Sequence, residues 1–343
     1  MTVADVMQAI ETVDYHTAGE PFRIVTGGLP DIPGRTVLDR RVSAGGNPYD
    51  QVRRLLCHEP RGHADMYGCF VVPPNDAGAD MGVLFWHKDG YSTACGHGTI
   101  ALATWAVESG RIAAASDGVT AISIDAPSGR VLARVLCEVG AVTEVTFRNV
   151  GSWVSALDLA VPTSRGSVIV DVAWGGAYYA SVHAADLGLA VEPADLPRLI
   201  ELSREIKAAV AASVAVDHPS DDRLSGLYGC IWWDSVPVAN QKAVVRQRNA
   251  TVFADGEVDR SPCGSGTSAR LAVLHGRGQI ALGETLYHGS IVGTTFTGRI
   301  VEETMDNGQA AVVTEVTGQA FRTGEHRFTL DPRDPLGTGF TLR

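Results

Sequence analysis

Residues 91–110 read Y-S-T-A-C-G-H-G-T-I-A-L-A-T-W-A-V-E-S-G, a cysteine followed at once by glycine, histidine, glycine and threonine and then by an apolar run ending at Gly110. This order predicts a tight turn that delivers the Cys95 thiol to the N-terminus of a buried helix. Glycine lets the backbone come close to a ligand, and the N–H groups of a first helical turn favour negative charge. Residues 261–276, S-P-C-G-S-G-T-S-A-R-L-A-V-L-H-G, repeat the arrangement around Cys263. Glycine at +1 and +3, threonine at +4 and alanine at +6 recur at the same offsets, and a second helix-like run stops at Gly276. The two cysteines lie about half a chain apart. The chain therefore reads as two copies of one half-domain, each presenting one thiol to a shared cleft.

Working outward, the 343 residues favour two ordinary domains over one very large one. The composition, 45% hydrophobic and 20% charged, is that of a soluble globular protein. No run of about 18 apolar residues predicts a membrane span, and the stretch M-T-V-A-D-V-M-Q-A-I-E shows no basic segment followed by an apolar core. The expected compartment is the cytoplasm. A formal charge of -11 argues against a nucleic-acid partner, which needs a basic face. It leaves room for an anionic substrate, because a few backbone N–H groups can hold a carboxylate locally. The six cysteines show no C-x-x-C pairs, so free thiols in a reducing compartment are expected. Cys57, Cys69, Cys137 and Cys230 sit in apolar or strand-like surroundings and read as small buried hydrophobes.

Between the two motifs the pattern is mostly strand. Residues 11–40 read as strand, turn, strand and a loop. Asn47 and Pro48 read as an N-cap and first helical position, with Val52, Leu55 and Leu56 forming one apolar helical face. Residues 71–72 and 81–86 read as strands, and 119–149 alternates with turns at 127–129 and Gly140. Further strands are expected at 167–173, 178–182, 227–234, 243–247, 292–303, 310–317 and 327–330. Leu199, Leu202, Ile206 and Val210 have the spacing of a core-packing helix. An α+β fold follows, in which each half wraps its strands round one central helix.

A thiolate is the reactive form of cysteine, and helix N-termini and hydrogen-bond donors favour it. Two thiols facing each other would titrate jointly, one ionised while the other stays protonated. Such a pair suits removal of a proton from one face of a carbon and its return to the other, inverting a stereocentre beside a carboxylate. The backbone N–H groups of Gly96, His97, Gly264 and Ser265 would hold that carboxylate and stabilise the charge developing on it.

These two motifs, with D-R-S-P-C-G-S-G-T at 259–267, resemble the proline racemase family, which includes 4-hydroxyproline epimerases and trans-3-hydroxy-L-proline dehydratases. The resemblance extends through D-Y-H-T-A-G-E-P at 14–21, H-E-P-R-G-H-A-D-M-Y-G at 58–68, A-W-G-G-A-Y-Y-A at 173–180 and V-T-G-Q-A at 316–320. It implies a pseudo-symmetric fold like that of diaminopimelate epimerase. The lobes would be 1–150, carrying Cys95, and 151–325, carrying Cys263, with 326–343 returning to the first and the active site in the cleft between them. It also implies an imino-acid substrate, proline or a hydroxyproline, no cofactor or metal, and a homodimer at the level of the family. The catalytic cysteines would be Cys95 and Cys263, with His97 and Asp259 binding the ring nitrogen. Segments 58–68, 82–93 and 316–324 look closer to the dehydratase branch. That branch typically carries threonine where this chain has Cys263, and dehydration needs no second thiol on the opposite face. The cysteine pair therefore favours racemisation or epimerisation, with dehydration as the alternative.

Other chemistries fit less well. A Cys–His hydrolase built on Cys95 lacks a visible orienting partner. A zinc site at His58, Glu59 and His63 fails because the helical metal motif needs histidines four apart. Pyridoxal phosphate would need Lys88, Lys207 or Lys242, none of which lies in a glycine-rich cradle. Glu59 and Arg61 read as structural or site-lining. Tyr15, His16 and Trp174 read as core or rim residues, or as shields of the reacting carbon.

Overall fold

The structure, a computed structural model, describes residues 9–236 and 244–342. By contacts it divides into two compact units. One comprises Met1–Ala94, Gly98–Val145 and Gln319–Arg343, the other Cys95–His97 and Thr146–Gly318. Residues 1–8, Lys242 and Ala243 lie outside the described part.

The first unit is a run of strands built on β1 (Ile10–Thr17), which lies antiparallel between β2 (Glu20–Gly27) and β18 (Ala320–Phe328). Next to β2, β3 (Gly68–Val72) runs parallel and β4 (Met81–His87) antiparallel to β3, with the short β5 (Gly90–Tyr91) folded back on β4. Then β6 (Gly118–Ala126) is parallel to β4, and β7 (Gly129–Glu138) antiparallel to β6. Val139 and Gly140, both at positive φ, make the turn into β8 (Ala141–Arg148).

The second unit repeats the series. β10 (Gly166–Trp174) lies antiparallel between β9 (Trp153–Thr163) and β11 (Tyr178–His183), and β12 (Leu227–Ser235) is parallel to β11. β13 (Val244–Phe253) is antiparallel to β12, with the short β14 (Glu257–Asp259) folded back on it. β15 (Thr285–Ser290) is parallel to β13, and β16 (Thr295–Asp306) and β17 (Gln309–Gly318) follow antiparallel. Along β18-β1-β2-β3-β4-β6-β7 and along β9-β10-β11-β12-β13-β15-β16 the directions change in the same order. The duplication expected from two cysteine motifs is thus present in the strand pairing itself. Reciprocal 2.8 Å hydrogen bonds between Ser152 and Val312 join the two ends of the second series.

Each series carries one glycine-headed helix after its short strand. These are α3 (Gly96–Glu108) and α5 (Gly264–Gly276), preceded in the chain by α1 (Val37–Ala44), α2 (Tyr49–Cys57) and α4 (Leu196–Ser213). A helix that is buried all round must be apolar or satisfied all round. α3 is buried from Gly96 to Ala106 and α5 from Gly264 to Leu274. In the second unit Leu271, Leu274, Leu286, Ile300 and Val312 pack together, while Val273 and Ala269 meet Ala173, Ala177 and Ile231. Each fully buried Leu, Ile or Val stabilises the unit by about 1.5–3 kcal/mol, so the helix is fixed by its own strands. No helix among the described residues is long and apolar enough to cross a membrane.

Several expectations shift. Where a loop is expected up to residue 40, α1 begins at Val37; its start rests on a capping box in which Thr36 and Asp39 each accept the other's backbone N–H. Pro48 is the N-cap of α2, not its first residue. β15 was missed, and the strand expected from Val292 begins at Thr295, Val292 being 53% exposed in the preceding turn. The closing strand expected at 327–330 is Ala320–Phe328. Beyond it Pro332 and Pro335 remove ladder donors.

Candidate active site

Within the second unit the chain leaves β14 at Asp259 and turns sharply into α5. Asp259 Oδ1 accepts the Ser261 N–H at 2.8 Å, and Ser261 Oγ accepts the Cys263 N–H at 3.1 Å. The Pro262 carbonyl is held by Asn249 Nδ2 at 3.0 Å and by the Thr267 hydroxyl at 3.2 Å. These bonds over-determine Cys263, the N-cap of α5, which sits at φ 60° and ψ 99°. A non-glycine residue in such a region costs on the order of 1–3 kcal/mol and persists where neighbours enforce it. The strained residue is the one that carries the thiol.

Behind the turn, two glycines meet. A Cβ on Gly264 would lie 2.6 Å from Gly96 Cα and 2.9 Å from Phe147 Cζ, and a Cβ on Gly96 would lie 2.4 Å from Gly264 Cα. Any side chain at either place would force the backbones apart. This contact brings Cys95 and Cys263, each one residue earlier, to one locality. Gly96 and Gly264 are the first residues of α3 and α5, and first-turn amides of a helix have no intrahelical backbone acceptor. A Cβ on Gly175 would lie 2.3 Å from the Ser265 carbonyl, so the W-G-G motif supports the start of α5 from the other side.

Both thiols are buried, Cys95 5% and Cys263 6% exposed. Cys95 Sγ lies 3.5 Å from each ring nitrogen of His97, and His97 Nδ1 lies 3.5 Å from Asp259 Oδ2. Polar contacts therefore run from Cys95 through His97, Asp259 and Ser261 to the backbone of Cys263. Around Cys263 opposing influences meet. Burial, then the Asp259 carboxylate, push its thiol well above the usual range, against the Gly266 N–H and the Thr251 and Tyr179 hydroxyls. Burial outweighs the three hydrogen-bond partners that favour the charged form, so the neutral thiol is the favoured one.

All seven residues singled out from sequence, Cys95, Gly96, His97, Asp259, Cys263, Gly264 and Ser265, thus fall in one locality of the second unit. Ser265 differs in detail, since its hydroxyl bonds the Tyr179 phenol at 2.8 Å. Tyr179, Thr251 and Phe147 were missed. For Tyr179 a signal existed: strand alternation puts Tyr178 and Tyr179 on opposite faces. Tyr178 joins Trp174, while Tyr179 faces Cys263. The aromatic and charged residues weighed as site-lining have other contacts. Trp174 stacks on Trp153 at 5.3 Å. In the first unit Tyr15 donates to Glu108 at 2.6 Å, and His16 stacks on Phe321. There the Glu59 backbone bridges to Phe340, and Arg61 donates to the Gly337 carbonyl and pairs with Asp334, tying down the C-terminal segment.

None of the six cysteines is in a disulfide, and Cys57, Cys69, Cys137 and Cys230 are buried as expected. Burial raises Cys69 well above its usual range and Cys230 to about 12.

Comparison with known proteins adds four findings. The family model for proline racemase matches residues 12–341. Among curated relatives, a 3-hydroxyproline 2-epimerase of Burkholderia multivorans is 45% identical over 341 residues, covering 98% of this chain and 99% of its own. A trans-3-hydroxy-L-proline dehydratase of Bacillus cereus is 43% identical over 331 residues, covering 96% of this chain and 97% of its own. Among solved structures, a hydroxyproline epimerase of Agrobacterium vitis with bound trans-4-hydroxy-L-proline superposes with a TM-score of 0.91 at 34% identity, covering 98% of this chain and 96% of that one.

Proposed function

Since the chain belongs to the proline racemase family, we propose that it inverts C2 of a 3-hydroxyproline, with Cys95 and Cys263 as its two acid–base groups. The observation that supports this is the backbone contact of Gly96 with Gly264, the residues that directly follow Cys95 and Cys263. In either direction one sulfur, as thiolate, takes the C2 proton, and its electron pair moves into the carboxylate. The other, as thiol, delivers its proton to the opposite face and becomes the thiolate for the reverse passage. The amides of Gly96, His97, Gly264 and Ser265 receive the carboxylate, whose charge grows in the transition state. Asp259 and His97, buried and 3.5 Å apart, take the ring nitrogen. The 3-hydroxy substrate is suggested by relatives of both activities, which share that ring while differing in outcome.

A second reading, dehydration, begins with the same proton removal. The C2–H electron pair then forms a C2=C3 bond as the 3-hydroxyl takes a proton and leaves as water. It is favoured by the relatives named as dehydratases. Incubation with trans-3-hydroxy-L-proline, trans-4-hydroxy-L-proline and L-proline in D2O separates the outcomes. Epimerisation places deuterium at C2 and yields the C2 epimer. Dehydration first yields an enamine, whose N–H proton is lost as C3 gains one, giving a cyclic imine that 2-aminobenzaldehyde traps. Cys263→Thr abolishes inversion under the first reading and leaves imine formation intact under the second. Imine as the sole product would overturn the epimerase assignment.

A further inference from the structure

We infer that Tyr179 is a positioning residue for this reaction: its phenol, oriented by Ser265, gives Cys263 a hydrogen bond when that sulfur carries negative charge. This role rests on the two-thiol chemistry proposed above. Tyr179 is 1% exposed on β11, in edge contact with Tyr228 at 5.8 Å. Its hydroxyl lies 2.8 Å from Ser265 Oγ and 3.9 Å from Cys263 Sγ. Both partners belong to the turn that starts α5, although Tyr179 comes from a strand 84 residues away from Cys263.

A phenol has one proton to give and lone pairs to receive. When Cys263 is neutral, its S–H points to the Tyr179 oxygen across a long, weak contact. When Cys263 has lost its proton, Ser265 can donate to the phenol oxygen while the phenol donates to sulfur. That bond is charge-assisted and stronger than the neutral one it replaces. Burial, first of all, holds Tyr179 well above the usual phenol range, so it stays a donor and does not compete as a base. The other groups facing Cys263 are the Asp259 carboxylate, which opposes the thiolate, and the Thr251 hydroxyl and Gly266 N–H, which support it. His97 meets this set at Asp259, Tyr228 packs edge-on against Tyr179, and Ile231 and Ala177 are apolar. Of these three donors, Tyr179 comes from outside the cysteine's own turn and its neighbouring strand β13. It adjusts how readily Cys263 exchanges roles with Cys95.

The test reads the Cys263 thiolate fraction between pH 7 and 9, where the protein stays folded, as the difference in iodoacetamide alkylation rate between Cys95→Ser and Cys95→Ser/Cys263→Ser, with and without Tyr179→Phe; a change in that fraction at fixed pH gives the shift in midpoint. Loss of the donor should raise the Cys263 midpoint by about one pH unit, a roughly ten-fold smaller thiolate fraction at a given pH. Ser265→Ala should move it the same way by less. 3-Fluorotyrosine at position 179, a stronger donor of nearly the same size, should move it down, and this arm stands even if the phenylalanine variant fails to fold. In the enzyme with both cysteines, the limb of the kcat/KM pH profile that reports Cys263 should move with the midpoint. An unmoved midpoint in folded variants overturns the role of Tyr179 and leaves the epimerase assignment untouched. A moved midpoint in a protein that inverts no imino acid sinks that assignment alone.

Discussion

Replacing Gly264 by alanine perturbs the contact on which the site is built. The new methyl carbon would stand 2.6 Å from Gly96 Cα, 3.1 Å from Gly96 C and 2.9 Å from Phe147 Cζ. Carbon atoms prefer separations of about 3.5–4.0 Å, so the methyl intrudes by roughly 1 Å. The end of the Phe147 ring can swing aside, but the Gly96 backbone moves only if the start of α3 moves with it. Overpacking of this kind costs about 1–3 kcal/mol, reduced by up to about 1 kcal/mol because alanine is the better helix former. In a unit of this size each kcal/mol lowers Tm by about 2–4 °C. The larger effect falls on rate, since a displacement of about 1 Å between reacting groups can cost on the order of 100-fold. Differential scanning fluorimetry and kcat/KM for C2 inversion measure the two effects. Gly276→Ala is the control: it lies at the far end of the same helix, where the nearest atom to a new Cβ is Val154 Cγ2 at 3.3 Å. A Gly264→Ala enzyme with rate and Tm equal to those of the control would refute the close approach, and with it the gathering of the two thiols.

Asp259→Asn should lower the Cys263 midpoint, the opposite sign to Tyr179→Phe, because the carboxylate opposes the thiolate; KM for the imino acid should rise separately, and a raised midpoint would contradict the assigned charge. Buried thiols make the protein alkali-sensitive. Cys69 and Cys230 stay protonated when folded, so their contribution is complete below the unfolded thiol pKa of about 8.5. It is lost as pH climbs toward the folded values, about 12 for Cys230, at up to about 1.4 kcal/mol per pH unit for each thiol. Urea midpoints between pH 8 and 10 should show a shallower fall in Cys230→Ala. At the acid end, burial and Arg270 lower His288 to about 3, so its contribution is present above the unfolded histidine pKa of about 6.5 and fades as pH falls toward 3. Urea midpoints at pH 7 and 4.5 should converge in His288→Gln. In the first unit, Asp14→Ala strands the buried Arg23 that it pairs with at 2.8 Å. That should cost about 3–5 kcal/mol, read as a lower urea midpoint, whereas Asp14→Leu/Arg23→Met should recover part of it.

The duplicated cysteine motif was legible because its requirements are local. A glycine-led turn, a thiol and an all-apolar helix leave a pattern in consecutive residues, and the same pattern twice implies two like units. α1 and β15 were harder, since a short capped helix and a six-residue strand offer few periods to count. The elements around Cys263 were hidden for another reason. Thr251, Tyr179 and Phe147 come from three separated segments, and only the strand ladders align them with the turn: β13 sets Thr251 opposite Asp259, and β11 turns Tyr179 toward the helix start. Their residue types are ordinary for strands, so composition does not mark them. The strain at Cys263 was equally invisible, because positive φ is expected of glycine, and the sequence places a cysteine there. Yet the adjoining glycines carry the reason. Gly264 must touch Gly96, and Gly266 must leave room for Cys263 Sγ, 2.9 Å from where its Cβ would stand. A side chain at either glycine would separate the helices or evict the sulfur. Cysteine therefore bears the strained angle at one of the two positions to which the proposed chemistry assigns a thiol, and the free energy this costs is offset by the bonds from Ser261, Asn249 and Thr267 that hold the turn.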